Sequence, residues 1–163
     1  MLLLAGSGEE QETLKALAQS LGVAAHIRFL GQRADVAELV AGSDLFVLPS
    51  LFEGLPLVVL EAMSLGTPVV ATRIGGTLEA LGEEHPFFAV PGDVQSLADT
   101  IILALADPIR LAGVGAAAGE RFRQLFSADR MAAETGAIYG RFAGKSGPTQ
   151  KDLSMQKLSL IHI

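Results

Sequence analysis

Five short apolar runs punctuate the first ninety residues: Leu2–Ala5, Ala25–Leu30, Leu45–Leu48, Val69–Ala71 and Phe87–Val90. Each is too short for a helix, and stretches of helical character or turn-forming glycines lie between them. The segment Glu9–Leu21 places Leu14, Leu17, Ala18 and Leu21 on one face and stops at Gly22, where a left-handed residue commonly ends a helix. A short helix is expected over Asp35–Val40 with Asp35 as cap, and another from Pro56 to Leu65 ending at Gly66. Strands joined through helices call for parallel pairing with right-handed crossovers. The strands lack polar alternation, as in a sheet covered on both faces. The expected fold class is therefore α/β, a Rossmann-like parallel sheet with helices on both faces.

After Val69–Ala71 comes the turn Ile74-Gly75-Gly76, and after Phe87–Val90 comes Pro91-Gly92-Asp93. Val94–Phe142 is helical by pattern, broken at Asp107-Pro108 and at Ser127. From Gly144 the character becomes polar and turn-rich, then ends in a short apolar run. The expected organisation is one domain over 1–143 and a tail, 144–163, that is disordered or artefactual and carries no function.

Composition removes several classes. With 163 residues, half of them apolar, the chain can bury one core. A net charge of −6 argues against broad attraction to nucleic acid or anionic membranes. The absence of cysteine excludes disulfides and thiol chemistry. No apolar run reaches the roughly 18 residues of a membrane span, and no signal peptide is visible, so a cytoplasmic location is expected. Gly6-Ser7-Gly8 resembles part of a dinucleotide fingerprint, but position 11 is Gln11 and Arg28-Phe29-Leu30-Gly31 carries no acidic residue. His26, His85 and His162 belong to no Ser/His/Asp set or metal-spaced cluster.

The most informative stretch is Asp44–Met63, a strand, a loop and a helix with Glu53 and Glu61 on either side of the helix start and seven residues between them. Helix Pro56–Leu65 is apolar nearly all round, with Glu61 its only charge. That pattern reads as a buried helix, in which a carboxylate costs several kcal/mol unless bonded. One reading gives Glu61 a cap or salt bridge; another has it accept hydrogen bonds from a polyol such as ribose. Gly54 and the amides of Leu55 and Leu57 could face a phosphate at the positive end of the helix, and Pro56 suits the first helical position.

PSLFEGLPLVVLEAMSLGTPVVAT, followed by Gly75-Gly76-Thr77-Leu78-Glu79, resembles the signature of family-four retaining glycosyltransferases of the GT-B fold. LLLAGSGEE, RFLGQRADVAELVAGSDLFVLPS and VPGDVQSLADTI match the same family in order, over about residues 2–142. The resemblance implies the C-terminal, donor-binding half of such an enzyme. The reaction implied is sugar transfer from a nucleotide-diphosphate donor with retention, needing neither metal nor other cofactor. Glu53 would lie by the donor sugar as the catalytic carboxylate. Gly54, Leu55, Pro56 and Leu57 would hold the diphosphate, Glu61 the ribose, and Gly31 the base.

Two departures stand out. Glu83-Glu84-His85-Pro86-Phe87-Phe88 lacks the glycine usual in the family's corresponding loop. The family's first strand-helix unit of this domain, with its Arg and Lys, has no counterpart; Arg28, Arg33 and Arg73 are the basic residues near the expected site. In the Rossmann order that unit's strand lies between the strands at Leu2 and Leu45, leaving two edges facing a gap, so the chain is expected to rearrange, pair or aggregate alone. The acceptor, unidentified, would sit in an absent N-terminal domain, through which alone a peripheral membrane contact could arise. Alternatives are another GT-B enzyme such as a nucleotide-sugar epimerase, or a non-catalytic nucleotide-binding or interaction module.

Overall fold

The computed structural model describes residues 1–143, so the expectation for 144–163 lies outside the described residues. Strands β1 (Leu2–Ala5), β2 (Ile27–Gly31), β3 (Phe46–Leu48), β4 (Val69–Thr72) and β5 (Phe88–Ala89) alternate with helices. The helices are α1 (Gln11–Ser20), α2 (Val36–Ala41), α3 (Leu57–Leu65), α4 (Gly75–Leu81), α5 (Val94–Leu105), α6 (Pro108–Leu125) and α7 (Ala128–Ala143). All strand pairs are parallel, giving the expected α/β class. Boundaries move by one or two residues, and Ala25 and His26, expected to begin β2, lie instead in a single 3-10 turn, Ala24–His26.

The strands form two sheets, β1-β2 and β3-β4-β5. β1 and β3 are not hydrogen-bonded to each other. β4 is the centre of the larger sheet. Val69 and Ala71 face a cluster with Val59, Ala62, Met63, Ala80 and Ala118, while Val70 faces Phe87, Ala104 and Leu111 on the opposite side. Consecutive strand side chains alternate between faces, so the apolar run Val69–Ala71 of β4 supplies both cores at once. This is the expected double-sided covering.

β1, α1 and β2 pack chiefly on one another and bury far less. Only Ala18 of the expected α1 face is buried; Leu14, Leu17 and Leu21 are exposed because no neighbouring layer covers them. A second difference concerns the glycine pair at 75–76, expected as a turn, which opens α4. Gly66 ends α3 in the left-handed region at φ 73°, as its sequence position implied. Asp107 caps α6 by accepting from the amides of Ile109 and Arg110, and Pro108 occupies the first turn. Asp35 stands before α2 without capping it, because its carboxylate is engaged by Arg33 at 2.7 Å. No single helix among the described residues is long and apolar enough to cross a membrane.

Candidate functional site

β3 runs parallel to β4 up to Leu48 and stops at Pro49, which has no amide to continue a ladder. The chain then loops through Ser50–Leu55. Pro56 is extended, at φ −74° and ψ 104°, and acts as the residue before the first turn of α3. The helix therefore starts one residue later than expected, at Leu57. Its first turn has no side-chain cap. The amides at an uncapped N-terminus point outward with the positive end of the helix dipole, an arrangement suited to an anion.

Glu53 is half-buried, and its Oε1 accepts a hydrogen bond from Ser50 Oγ at 2.8 Å. Ser50 is itself tethered, its carbonyl accepting from Thr72 Oγ1 at the end of β4. The carbonyls of Glu53 and Gly54 lie against Gly76, where an added Cβ would come within 1.8 Å of the Gly54 oxygen. Beside these, Leu51 and Phe52 are exposed. Leu51 Cδ2 lies 3.7 Å from the position a Cβ would take on Gly92, so the loop also meets the turn between β5 and α5.

Glu61 corrects an expectation. It is exposed, not buried, because α3 inserts Val59, Ala62 and Met63 into the core and turns Leu57, Glu61, Ser64 and Leu65 to solvent. An apolar sequence all round therefore does not make this helix buried all round. The cap and salt-bridge reading also fails: Glu61 forms no ion pair among the described residues. Leu57 and Glu61 are spaced i, i+4 and share a face, and side chains on a helix tilt toward its N-terminus. Glu61 thus shares the exposed face of Leu57, one turn from the start of the helix.

The structure brings Glu53, Gly54, Leu55, Pro56, Leu57 and Glu61 together at one loop-helix junction. Gly31 is elsewhere: it ends β2 in the smaller sheet, at φ 66°, with its carbonyl accepting from the Gly6 amide at 2.8 Å. Among the described residues no strand pairing ties it to the junction. Arg33 is paired with Asp35, and the Arg73 guanidinium sits 5.4 Å from the Phe88 ring centroid. Arg28 is exposed on β2. Two recesses of about 440 and 360 Å³ lie away from the junction, one lined by Asp44, Pro68 and Leu111, the other by Gly82, His85 and Arg121. The candidate site is accordingly an open surface and not either of these hollows. Among the described residues no three His, Asp or Glu side chains cluster as metal ligands.

Ser50, Thr72, Gly76 and Thr77 were not singled out individually by sequence reasoning. Their signal was positional: hydroxyls and a glycine immediately after two neighbouring parallel strands, where loops converge.

Residues 1–121 match the family model described as glycosyl transferases group 1. The chain belongs to this family. Among its relatives, N-acetyl-alpha-D-glucosaminyl L-malate synthase of Bacillus anthracis is 35% identical over 139 residues, covering 85% of this chain and 36% of that protein. D-inositol 3-phosphate glycosyltransferase of Corynebacterium urealyticum is 41% identical over 106 residues, 63% of this chain and 25% of that protein. The chain thus spans only a quarter to about a third of these relatives' length. Sucrose-phosphate synthase from Thermosynechococcus elongatus superposes with a TM-score of 0.78 at 30% identity, over 89% of this chain and 39% of that one. Anabaena HepE, solved in complex with UDP, gives 0.77 at 30% identity over 85% and 40%. HepE has also been solved with UDP-glucose. The α/β architecture here is that of the GT-B glycosyltransferases.

Proposed function

We propose that this chain forms the donor-binding part of a retaining glycosyltransferase, taking a nucleotide-diphosphate sugar without a metal or other cofactor. The observation that carries the proposal is the junction itself: Glu53 held by Ser50 on one side of an uncapped helix N-terminus, and Glu61 exposed on the other. The complexes of Anabaena HepE with UDP and with UDP-glucose, at 30–31% identity, support the ligand class.

In this reading the outward amides of the first turn of α3, with Gly54 leaving room beside them, receive the diphosphate. Negative charge grows on the diphosphate as the glycosidic bond breaks, and preorganised N–H donors stabilise it without reorganisation. Glu61 accepts from the ribose hydroxyls. Glu53 faces the sugar, bonding its hydroxyls and offsetting the positive charge that develops at the anomeric carbon. Gly31, at the carboxyl end of β2, contacts the base through backbone. The acceptor is held by residues outside these 163, and the reaction takes place in the cytoplasm.

Calorimetric titration with UDP, GDP and ADP tests the reading. One nucleotide should bind, and Glu61→Gln should weaken it about tenfold or more through loss of charge-assisted hydrogen bonds. Failure of all three to bind, both to this chain and to a longer one containing it, overturns the proposal.

A further inference from the structure

The turn between β4 and α4 reaches the candidate catalytic carboxylate through a sequence of hydroxyls. Thr77, fully buried, donates from Oγ1 to the carbonyl of Thr72 at 2.5 Å, and the same oxygen accepts from the Ile74 amide at 3.2 Å. Thr72, 2% exposed, donates from its own hydroxyl to the carbonyl of Ser50. Ser50 Oγ then donates to Glu53 Oε1 at 2.8 Å. Buried Thr77 thus spends its proton on the end of β4, and buried Thr72 spends its own on the neighbouring loop. Gly76 reinforces them, since only a residue without Cβ lets α4 lie against the Glu53 and Gly54 carbonyls.

We propose that Thr77, Thr72 and Ser50 are positioning residues that form a relay fixing the Glu53 carboxylate. The relay engages one oxygen of Glu53 and leaves the other for the donor sugar; this last step rests on the donor-site reading above. A carboxylate on an untethered loop samples several rotamers, and a reacting group must be held near its productive geometry to contribute fully. The ends of β3 and β4 are fixed by their ladder, and the relay extends that rigidity five residues further, to a side chain that no strand reaches.

The test uses the full chain and its Ser50→Ala, Thr72→Val, Thr72→Ser and Glu53→Gln variants, with UDP and UDP-glucose as probes. The ¹³C carboxyl resonance of Glu53, identified by its loss in Glu53→Gln, reports the carboxylate directly. The expected result is that Ser50→Ala and Thr72→Val shift this resonance and weaken UDP-glucose about tenfold, with UDP unaffected. Thr72→Ser, which keeps the hydroxyl, should restore both. The relay is overturned if Thr72→Val leaves the Glu53 resonance in place, or if it weakens UDP and UDP-glucose equally, as a merely structural role would. If neither probe binds the unaltered chain, the donor reading fails separately, and the carboxyl resonance still decides the relay: moved, it stands; unmoved, it falls.

Discussion

Gly76 lies so close to Gly54 that an added Cβ would sit 1.8 Å from the Gly54 carbonyl oxygen and 2.9 Å from that of Glu53. Both partners are backbone, so neither can swing aside. Gly76→Ala must push α4 or the Glu53 loop away and should cost about 1–3 kcal/mol of stability. Its neighbour provides the control. Nothing lies within 4 Å of a Cβ on Gly75, so Gly75→Ala should be neutral or stabilising by a few tenths of a kcal/mol or more. Urea melts of the two variants check the pair; similar midpoints would refute the contact.

A comparable pair exists along α6. Gly115 lets this helix approach α3, with its would-be Cβ 2.3 Å from the Gly66 carbonyl and 3.1 Å from Pro68 Cγ. Gly115→Ala should destabilise by about 1–3 kcal/mol. Gly113, two residues earlier on the same helix, faces open space, and Gly113→Ala should stabilise by roughly 0.5–1 kcal/mol through helix propensity. Thermal unfolding should move in opposite directions for the two.

His85 makes stability depend on pH. Its Nε2 hydrogen-bonds the Val69 carbonyl at 2.8 Å, and its ring meets Phe87 and Phe88 edge-on. Burial pushes its pKa below the ordinary 6.5, more strongly than the Val69 carbonyl pulls it back up. A folded pKa below the unfolded one means that the unfolded chain binds the proton first as pH falls. The stability present above pH 6.5 is then lost as pH drops through the folded value. Unfolding midpoints should fall between about pH 7.5 and pH 5, a range above the region where the depressed pKa values of Asp35 and Glu120 act. His85→Gln, which can still donate to Val69, should flatten that slope.

Arg121 joins α6 to the end of α4, donating from Nε to the Ala80 carbonyl at 2.8 Å and from Nη2 to that of Glu79 at 3.0 Å. These carbonyls belong to the negative end of α4, where a guanidinium is favourable. Arg121→Met keeps the apolar stem and removes both bonds. The expected loss is about 1–2 kcal/mol in a denaturant melt, at the lower end of charged hydrogen bonds because the outer one is exposed. Arg121→Lys should recover only part of it, lacking the fork that reaches two carbonyls.

How much of this was legible beforehand depends on whether the information was local. The apolar runs beginning at Leu2, Ala25, Leu45, Val69 and Phe87 each yielded a strand, because length and glycine punctuation are local properties. The stop at Gly66 and the break at Asp107-Pro108 were legible for the same reason, although the cap that Asp107 supplies there was not read. The exposure of Leu14, Leu17 and Leu21 was not, since periodicity reports a face and says nothing of what covers it. Glu61 misled in the same way: the helix is apolar on every side, but only one side meets β4 and α6. His85 read as an ordinary loop residue because its carbonyl partner is 16 positions away. At the site, the two carboxylates and their spacing could be read directly. The threonines that lock the loop could not, because Thr72 and Ser50 are 22 residues apart and meet only once β3 and β4 pair.

The division of the strands into two sheets sets two tiers of amide protection. Amides of β4, enclosed on both faces, should exchange with deuterium only through global opening, whereas those of β1 and β2 should exchange through smaller, independent openings. On the proposed reading, a nucleotide contacts Gly31 in the smaller sheet and Glu61 beside the larger one. Such a ligand is a staple across two cooperative units, and part of its binding energy should appear as slowed exchange in β2, remote from the phosphates it grips.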